Sequence, residues 1–265
     1  MHAHSSKPRP GRILAALLAT LLASAPAWSA DKLVAVSSGG FAEAFKALAT
    51  RYSQQFPAQQ VEQQFGPSMG STPQAIPLRL QRGEPMDVLV MVESALDKLI
   101  AQGLVDGSTK VVLANSFIAC AVPAGDPRPD LGTTAKVREA FLKAPSVAWS
   151  DSASGEYIQH TLLGRLGIEQ QVKAKGRQIP ATPVGQIVAS RQAAFGCQQR
   201  SELQPVKGID IVGELPAEIQ KVTPYAAAVV TASQRRMQAA AFIKYLASSD
   251  SAGAIEESGL HPVAR

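Results

Sequence analysis

The chain is poor in the residues from which most metal and nucleophilic centres are built. It has two cysteines, Cys120 and Cys197, and four histidines in 265 residues. His2 and His4 stand in the first few residues, which leaves His160 and His261 for the rest. Two histidines and two cysteines without paired ligand spacing give no basis for a metal site. A glycine-rich phosphate loop is also missing, so no cofactor is expected. Beyond the first thirty residues no apolar run approaches the roughly twenty residues of a membrane-spanning helix. Basic charge is not clustered: Arg235 and Arg236 are adjacent and read as a solvated helix end. There is neither a repeat of fixed period nor a low-complexity tail.

The opening is of a different kind. Lys7, Arg9 and Arg12 precede the apolar run Ile13 to Ala23, and the small-residue stretch Ser24 to Ala30 follows. Positive, apolar and small in that order reads as a cleavable secretory signal at 1–30, with cleavage after Ala27, Ser29 or Ala30. No cysteine follows to carry a lipid, so a soluble periplasmic protein is expected. The sequence pI of 9.3 is misleading. Without the leader, 23 basic residues face 21 acidic ones, which excludes a nucleic-acid partner, since that requires a concentrated basic face. In an oxidising compartment Cys120 and Cys197 are compatible with one disulfide or with two buried thiols.

From Lys32 onward, short β-branched runs alternate with helical patterns. Leu33 to Val36 reads as a strand, Ser37-Ser38-Gly39-Gly40 as a turn, and Phe41 to Phe56 as a helix with Phe41, Phe45, Leu48 and Tyr52 on one stripe. Further strands are predicted at Gln60 to Phe65 and at Asp87 to Val92, the latter apolar throughout as in a strand covered on both faces. A second series begins at Ser116 to Val122 and continues near Ser146 to Trp149, Gln178 to Ile179 and Ala194 to Cys197. Helices are predicted at Lys136 to Leu142, Gly155 to Leu166 and Val184 to Arg191. The chain closes with a strand at Tyr225 to Thr231 and helices at Gln234 to Ala247 and Ser251 to Glu257. This alternation implies α/β architecture with mostly parallel sheets.

Ligands of open α/β sheets bind beyond the carboxyl ends of the strands. The segments 37–40, 66–72, 150–155 and 181–185 occupy such positions and are rich in Ser, Thr and Gly. Loops of this kind present hydroxyls and backbone N–H groups at helix N-termini, where the helix dipole favours negative charge. A small anionic ligand follows.

Several segments carry a resemblance: Val36-Ser37-Ser38-Gly39-Gly40-Phe41, Arg82-Gly83-Glu84-Pro85-Met86-Asp87-Val88-Leu89-Val90, Asn115-Ser116-Phe117, Ala241-Phe242-Ile243-Lys244-Tyr245-Leu246 and Ser258-Gly259-Leu260-His261-Pro262. In order and spacing the chain resembles the molybdate-binding proteins of ABC-type importers. That resemblance implies a two-lobed type II periplasmic-binding fold, with lobe one at 31–115 plus 223–265, lobe two at 116–222, and two hinge crossovers. It also implies a monomer that binds an oxyanion such as molybdate or tungstate, delivers it to a membrane permease, and is not an enzyme. Ligand-binding positions carried over are Ser37, Ser38, Gly39, Gly40, Ser68, Met69, Gly70 and Ser71 in lobe one. In lobe two they are Ser152, Ser154, Gly155, Val184, Gly185 and Gln199.

The chain departs from the family where Gly40 replaces a ligand serine and Gln199 a tyrosine. The loop Gly66 to Pro73 is also longer, which points to a larger anion. A di- or tricarboxylate is therefore the alternative ligand, with Arg79 as a bidentate carboxylate partner. A second alternative is a serine hydrolase, because Gly66-Pro67-Ser68-Met69-Gly70 has the form of a nucleophile elbow. Pro67 and Pro73 around that loop, and the lack of a well-placed histidine, argue against it.

Overall fold

The polypeptide builds two mixed β-sheets, of six and five strands, and passes between them twice. The computed structural model describes residues 1–4, 32–180 and 182–263, so the leader read at 1–30 lies almost wholly outside the described residues. The first sheet begins with β1 (Leu33–Ser37), α1 (Ala42–Gln55), β2 (Val61–Phe65), α2 (Ile76–Gln81), β3 (Val88–Val92), α3 (Glu93–Ala101) and the long β4 (Val105–Ser116). After the first crossing come β5 (Ile118–Pro123), α4 (Thr134–Lys143), β6 (Val147–Ser150) and α5 (Ala153–Tyr157). A π-turn at Ile158–Leu162 joins α5 to α6 (Leu163–Arg165). The second sheet is completed by α7 (Glu169–Lys173), β7 (Gly176–Ile179), α8 (Val184–Ala189), β8 (Phe195–Gln199), α9 (Arg200–Leu203) and β9 (Ile209–Glu214). The chain then returns as β10 (Thr223–Val230), α10 (Arg236–Leu246), α11 (Ala252–Glu257) and β11 (His261–Pro262).

Strand order is β11-β4-β10-β3-β1-β2 in one sheet and β7-β6-β8-β5-β9 in the other. Where the sequence implies mostly parallel sheets, the ladders are mixed. β1 runs parallel to β2 and β3, whereas β10 is antiparallel to β3 and β4. In the second sheet β6 is parallel to β7 and β8, and β5 is antiparallel to β8 and β9. The reason is topological. A strand arriving from the other lobe starts at the end where the βα strands stop, so it runs against them.

Each sheet buries its own core. Phe41, Phe45 and Leu48 are fully buried with Tyr52 beside them, as the helical stripe predicts, and all five residues of β3 are buried. Phe45 and Tyr52 pack their rings against Phe242 of α10, with centroids 6.1 and 5.0 Å apart. Burying an aromatic or branched side chain of this size is worth about 1.5–3 kcal/mol. Asp87, just before β3, is buried because its carboxylate is fully used. One oxygen accepts from the Val34 N–H at 2.9 Å and the other from the Ser233 hydroxyl at 2.6 Å.

Gln220 clasps the two crossing segments. Its Nε2 donates to the carbonyls of Ile118 (3.0 Å) and Leu215 (3.1 Å), and its Oε1 accepts from the N–H groups of Ile118 (2.9 Å) and Lys221 (3.0 Å). Cys120 and Cys197 face each other across the β5–β8 ladder and are joined as a disulfide, which decides between the two states the sequence leaves open.

The disulfide closes a loop 77 residues long in sequence, and a cross-link of that span restrains the unfolded chain by about 4 kcal/mol on the loop-entropy account. Chemical denaturation of the oxidised and reduced protein is therefore expected to differ by roughly 2–5 kcal/mol. Superimposable curves would show that the bond contributes nothing to the fold.

Candidate functional site: the cleft between the sheets

The carboxyl ends of β1, β3, β6 and β8 and the start of β10 converge on one cleft of about 330 Å³. This placement follows from the sequence locally. β1, β2 and β6 run into segments of small polar residues, whereas β3 and β8 lead directly into α3 and α9; each following helix opens on N–H groups that have no intrahelical acceptor. Much of the cleft wall is apolar, through residues such as Phe65, Met69 and Val92, and its polar groups are mostly neutral, at positions where helix dipoles favour negative charge.

The positions inferred from sequence divide into two groups. Ser38, Gly39, Gly40, Ser68, Met69 and Ser152 line the cleft. Ser38 Oγ is buried and has no hydrogen-bond partner among the described residues. Ser68 Oγ accepts from the Val92 N–H at 3.0 Å, which fixes the 66–72 loop to the start of α3. The other positions serve the framework. Ser37 Oγ donates to the Ser38 carbonyl at 3.2 Å, and Gly70 and Ser71 are exposed and do not line the cavity. Ser154 lies behind Ser152 in a hydroxyl cluster around Ser150, with oxygen separations of 2.8 and 3.2 Å.

Gly155 and Gly185 are small for packing reasons. A Cβ on Gly155 would lie 1.6 Å from the Ser150 carbonyl oxygen, and one on Gly185 would lie 2.9 Å from Val206. The Val184 N–H is already taken by Gln198 Oε1 at 2.8 Å. Gln199 turns to Thr223, its Nε2 donating to Oγ1 at 3.0 Å. Arg79 does not line the cleft: its Nε bonds Glu84 at 2.7 Å, and its guanidinium also donates to the Phe65 carbonyl and to Gln64.

The structure adds residues that sequence reasoning missed: Glu202, Tyr225, Gln198, Asp151 and Lys46 all line the cleft. Where the resemblance leads one to expect a tyrosine at position 199 there is Gln199, and a phenol lines the cleft from β10, that of Tyr225. The glycine pair follows from these neighbours. A Cβ on Gly40 would sit 1.8 Å from Tyr225 Oη, and one on Gly39 would sit 2.7 Å from Glu202 Oε1. A serine at position 40 is therefore sterically excluded while Tyr225 holds its place. Nothing in the local sequence Arg200-Ser201-Glu202-Leu203 marks the glutamate, which gains its meaning only from the fold.

Glu202 is the electrostatic centre of the cleft. Its Oε2 is sequestered from solvent without a partner. Desolvation pushes its carboxyl up to about 7, opposed by a hydrogen bond from the Gln198 side chain and assisted by the negative charge of Asp151. The Tyr225 phenol is likewise held well above its usual range, first by burial and then by Glu202. Lys46, at the cleft mouth, pairs with Glu43 at 2.6 Å and stands 5.5 Å from the Phe65 ring centroid.

Neither histidine reaches the cleft. His160 is on the exposed side of the α5–α6 segment near Glu156, and His261 packs on Phe117. Ser68 therefore has no imidazole beside it among the described residues. The same residues contain no cluster of three or more metal-ligating side chains and no helix long and apolar enough to cross a membrane.

Residues 33–261 match the family of bacterial extracellular solute-binding proteins. The chain belongs to that family. Among solved structures its fold is similar to the periplasmic molybdate-binding protein of Azotobacter vinelandii (TM-score 0.69, 19% identity, covering 88% of this chain and 99% of the other). It is also similar to PEB3 bound to L-phospholactate (TM-score 0.65, 14% identity, 86% and 99% covered), a protein also solved from Campylobacter jejuni. At these identities the likeness establishes the two-lobed fold.

A relative much nearer in sequence is an aconitate isomerase from Pseudomonas sp., 48% identical over 251 residues that cover 94% of this chain and 95% of the relative. This corrects the sequence-based expectation that the protein is not an enzyme. That expectation followed from the resemblance to binding proteins and from the lack of a histidine placed to serve Ser68.

The raised proton affinity of Glu202 has a consequence for stability. Between its ordinary value of 4.5 and about 7 the folded protein holds a proton that the unfolded chain has released. Stability contributed by this group is therefore complete at low pH and is lost as pH rises toward and through 7. Glu202→Gln, which cannot ionise, is expected to gain on the wild type between pH 5 and pH 8, by up to about 3 kcal/mol. Urea unfolding at the two pH values measures the gain; a constant difference would mean that Glu202 is not protonated when folded.

Proposed function

We propose that the protein binds a small unsaturated tricarboxylate of the aconitate type between its lobes and isomerises it. The observation that carries this reading is the near full-length identity to an aconitate isomerase, combined with a sequestered carboxyl in the middle of an anion-attracting cleft. A plain oxyanion receptor has no use for such a group, whereas a site that moves a proton does. An isomerase needs it. The cleft volume also falls within the range of ordinary small-molecule pockets, about 300–1,000 Å³, and exceeds what a five-atom tetrahedral oxyanion would fill. For these reasons the tricarboxylate is favoured over molybdate.

In an aconitate-type acid a methylene group lies next to both a carboxylate and the carbon–carbon double bond. Loss of one methylene proton leaves an allylic anion delocalised into the carboxylates, and reprotonation at the former vinyl carbon shifts the double bond by one position. Substrate and product have the same atoms and oxidation state, so no cofactor takes part. The protein has to hold the carboxylates, exclude water and move one proton.

Serine hydroxyls and first-turn N–H groups from both lobes would hold the carboxylates, with Lys46 at the mouth as the one basic side chain of the lining. Closure would rotate residues 31–115 plus 223–265 against 116–222 about the two crossings. In this reading the leader at 1–30 delivers the protein to the periplasm, where it would also pass ligand to a membrane permease by the same closure.

Purified protein lacking the leader is expected to convert each geometric isomer of aconitate to the same equilibrium mixture, as followed by proton NMR. Calorimetry against cis- and trans-aconitate, citrate, molybdate and sulfate supplies the comparison. Binding of molybdate without any tricarboxylate would overturn the reading. Lys46→Gln is expected to weaken tricarboxylate binding about tenfold, equivalent to one charge-assisted hydrogen bond.

A further inference from the structure

We infer that Glu202 is the catalytic residue that carries the proton in both directions, and that Tyr225 stabilises the anion formed, in space left by Gly39 and Gly40; this rests on the isomerase reading above. Glu202 stands in α9, directly after β8. Its Oε1 lies where a Gly39 Cβ would be only 2.7 Å away. The Gln198 side chain donates to the carboxyl group, and the Gln198 amide is itself oriented, since its Oε1 accepts from the Val184 N–H at 2.8 Å. Oε2 is sequestered from solvent and has no protein donor among the described residues. A fixed carboxyl with one free, desolvated oxygen is the arrangement a base requires to attack a weak carbon acid.

The other titratable groups of the lining do not meet that description. Lys46 is a cation tied to Glu43 at the mouth. Asp151 follows β6 and is half exposed. Tyr225 is buried on β10 and lines the cleft. That phenol is available as a donor to a substrate carboxylate, where negative charge grows as the proton departs.

The step balances without a co-reactant. A methylene C–H bond breaks, its pair enters the allylic system and the proton rests on Glu202. The former vinyl carbon then takes the proton back, the double bond lies one carbon away, and Glu202 is again a carboxylate. The glycines complete the arrangement. A methyl group at position 39 collides with the Glu202 carboxyl and one at position 40 with the Tyr225 hydroxyl at 1.8 Å. Two hydroxyl-bearing residues there would bind an anion better but would displace both groups. The glycine pair thus separates a proton-transferring site from a purely anion-binding one. The proton affinity of Glu202, near neutrality through burial with Asp151 and Tyr225 facing it, fits a group that must both accept and release.

The test uses the full mature protein with trans-aconitate. Glu202→Gln is expected to bind trans-aconitate within tenfold of the wild type by calorimetry, to lose isomerisation by about 10²–10⁴-fold, and to lose exchange of the methylene protons with deuterated water. Tyr225→Phe is expected to lower kcat by about tenfold or more with KM little changed. Gly39→Ala, which leaves Glu202 in the chain but pushes its carboxyl aside, is expected to lose kcat as well; it keeps the idea testable should Glu202→Gln fold poorly, and full activity in Gly39→Ala would overturn it. In the wild type kcat is expected to fall as pH drops below about 7, and Glu202→Asp is expected to restore part of the activity lost in Glu202→Gln. Isomerisation by Glu202→Gln within tenfold of the wild type, or loss confined to Asp151→Asn, would overturn the assignment and leave the isomerase reading standing. A wild type that binds tricarboxylates without isomerising them would overturn both.

Discussion

Taking a carboxylate out of water is costly, and the seam between the two sheets holds one whose second oxygen has no compensating donor. The cost is tolerated because the rest of the cleft is arranged around it. Gln198 supplies one hydrogen bond and is itself held by the Val184 N–H. Gly39 and Gly40 withdraw every side-chain atom from the space that Glu202 and Tyr225 enter. A buried group that is incompletely satisfied in a folded protein reads as stored potential for chemistry rather than as a packing accident. In this cleft the neutral donors attract an anion while Glu202 supplies the one reactive function.

The two-lobed fold suits such chemistry for the same reason that it suits capture. A cleft that closes can exclude water at the moment when a weak carbon acid must give up its proton. Two of the four hydrogen bonds of Gln220 reach Ile118 and so tie the two crossing segments together, while the other two order its own segment. The Cys120–Cys197 bond lies in the ladder whose last residues, Gln198 and Gln199, approach the cleft and the hinge respectively. Covalent reinforcement there holds β8, the strand that leads into α9 and Glu202, in register with β5. One framework of this kind can host more than one function, which is why a resemblance that covers nearly the whole chain does not transfer a function with it.

Much of the fold was legible in advance because it rests on local pattern. The stripe Phe41, Phe45, Leu48 and Tyr52 has helical spacing and is buried as a helix face, and Asp87 to Val92 is apolar on every residue and is covered on both faces. Other elements carried weaker signals. β4 (Val105–Ser116) has an apolar run only at Val111 to Ala114, after the polar stretch Asp106 to Lys110; pairing with β10 extends the strand back through that first half. β9 (Ile209–Glu214) is intermediate in burial throughout and acquires its conformation from β5. The mixed direction of the strands was invisible for a related reason, because the direction of β5 and β10 is set by where the chain re-enters each lobe.

By itself the sequence determined that the chain is an alternating α/β protein with small polar turns at strand ends, because periodicity and turn chemistry are properties of neighbours in the chain. It also contained the glycine pair Gly39-Gly40. What occupies the space beside that pair was decided by the tertiary structure alone. Tyr225 follows Gly40 by 185 positions in the chain and Glu202 follows Gly39 by 163, and only the folding of β10 and α9 against the turn after β1 brings them within ångströms. A glutamate in a short polar segment has an ordinary proton affinity until neighbours distant in sequence remove its water, and that removal is what gives the cleft a base.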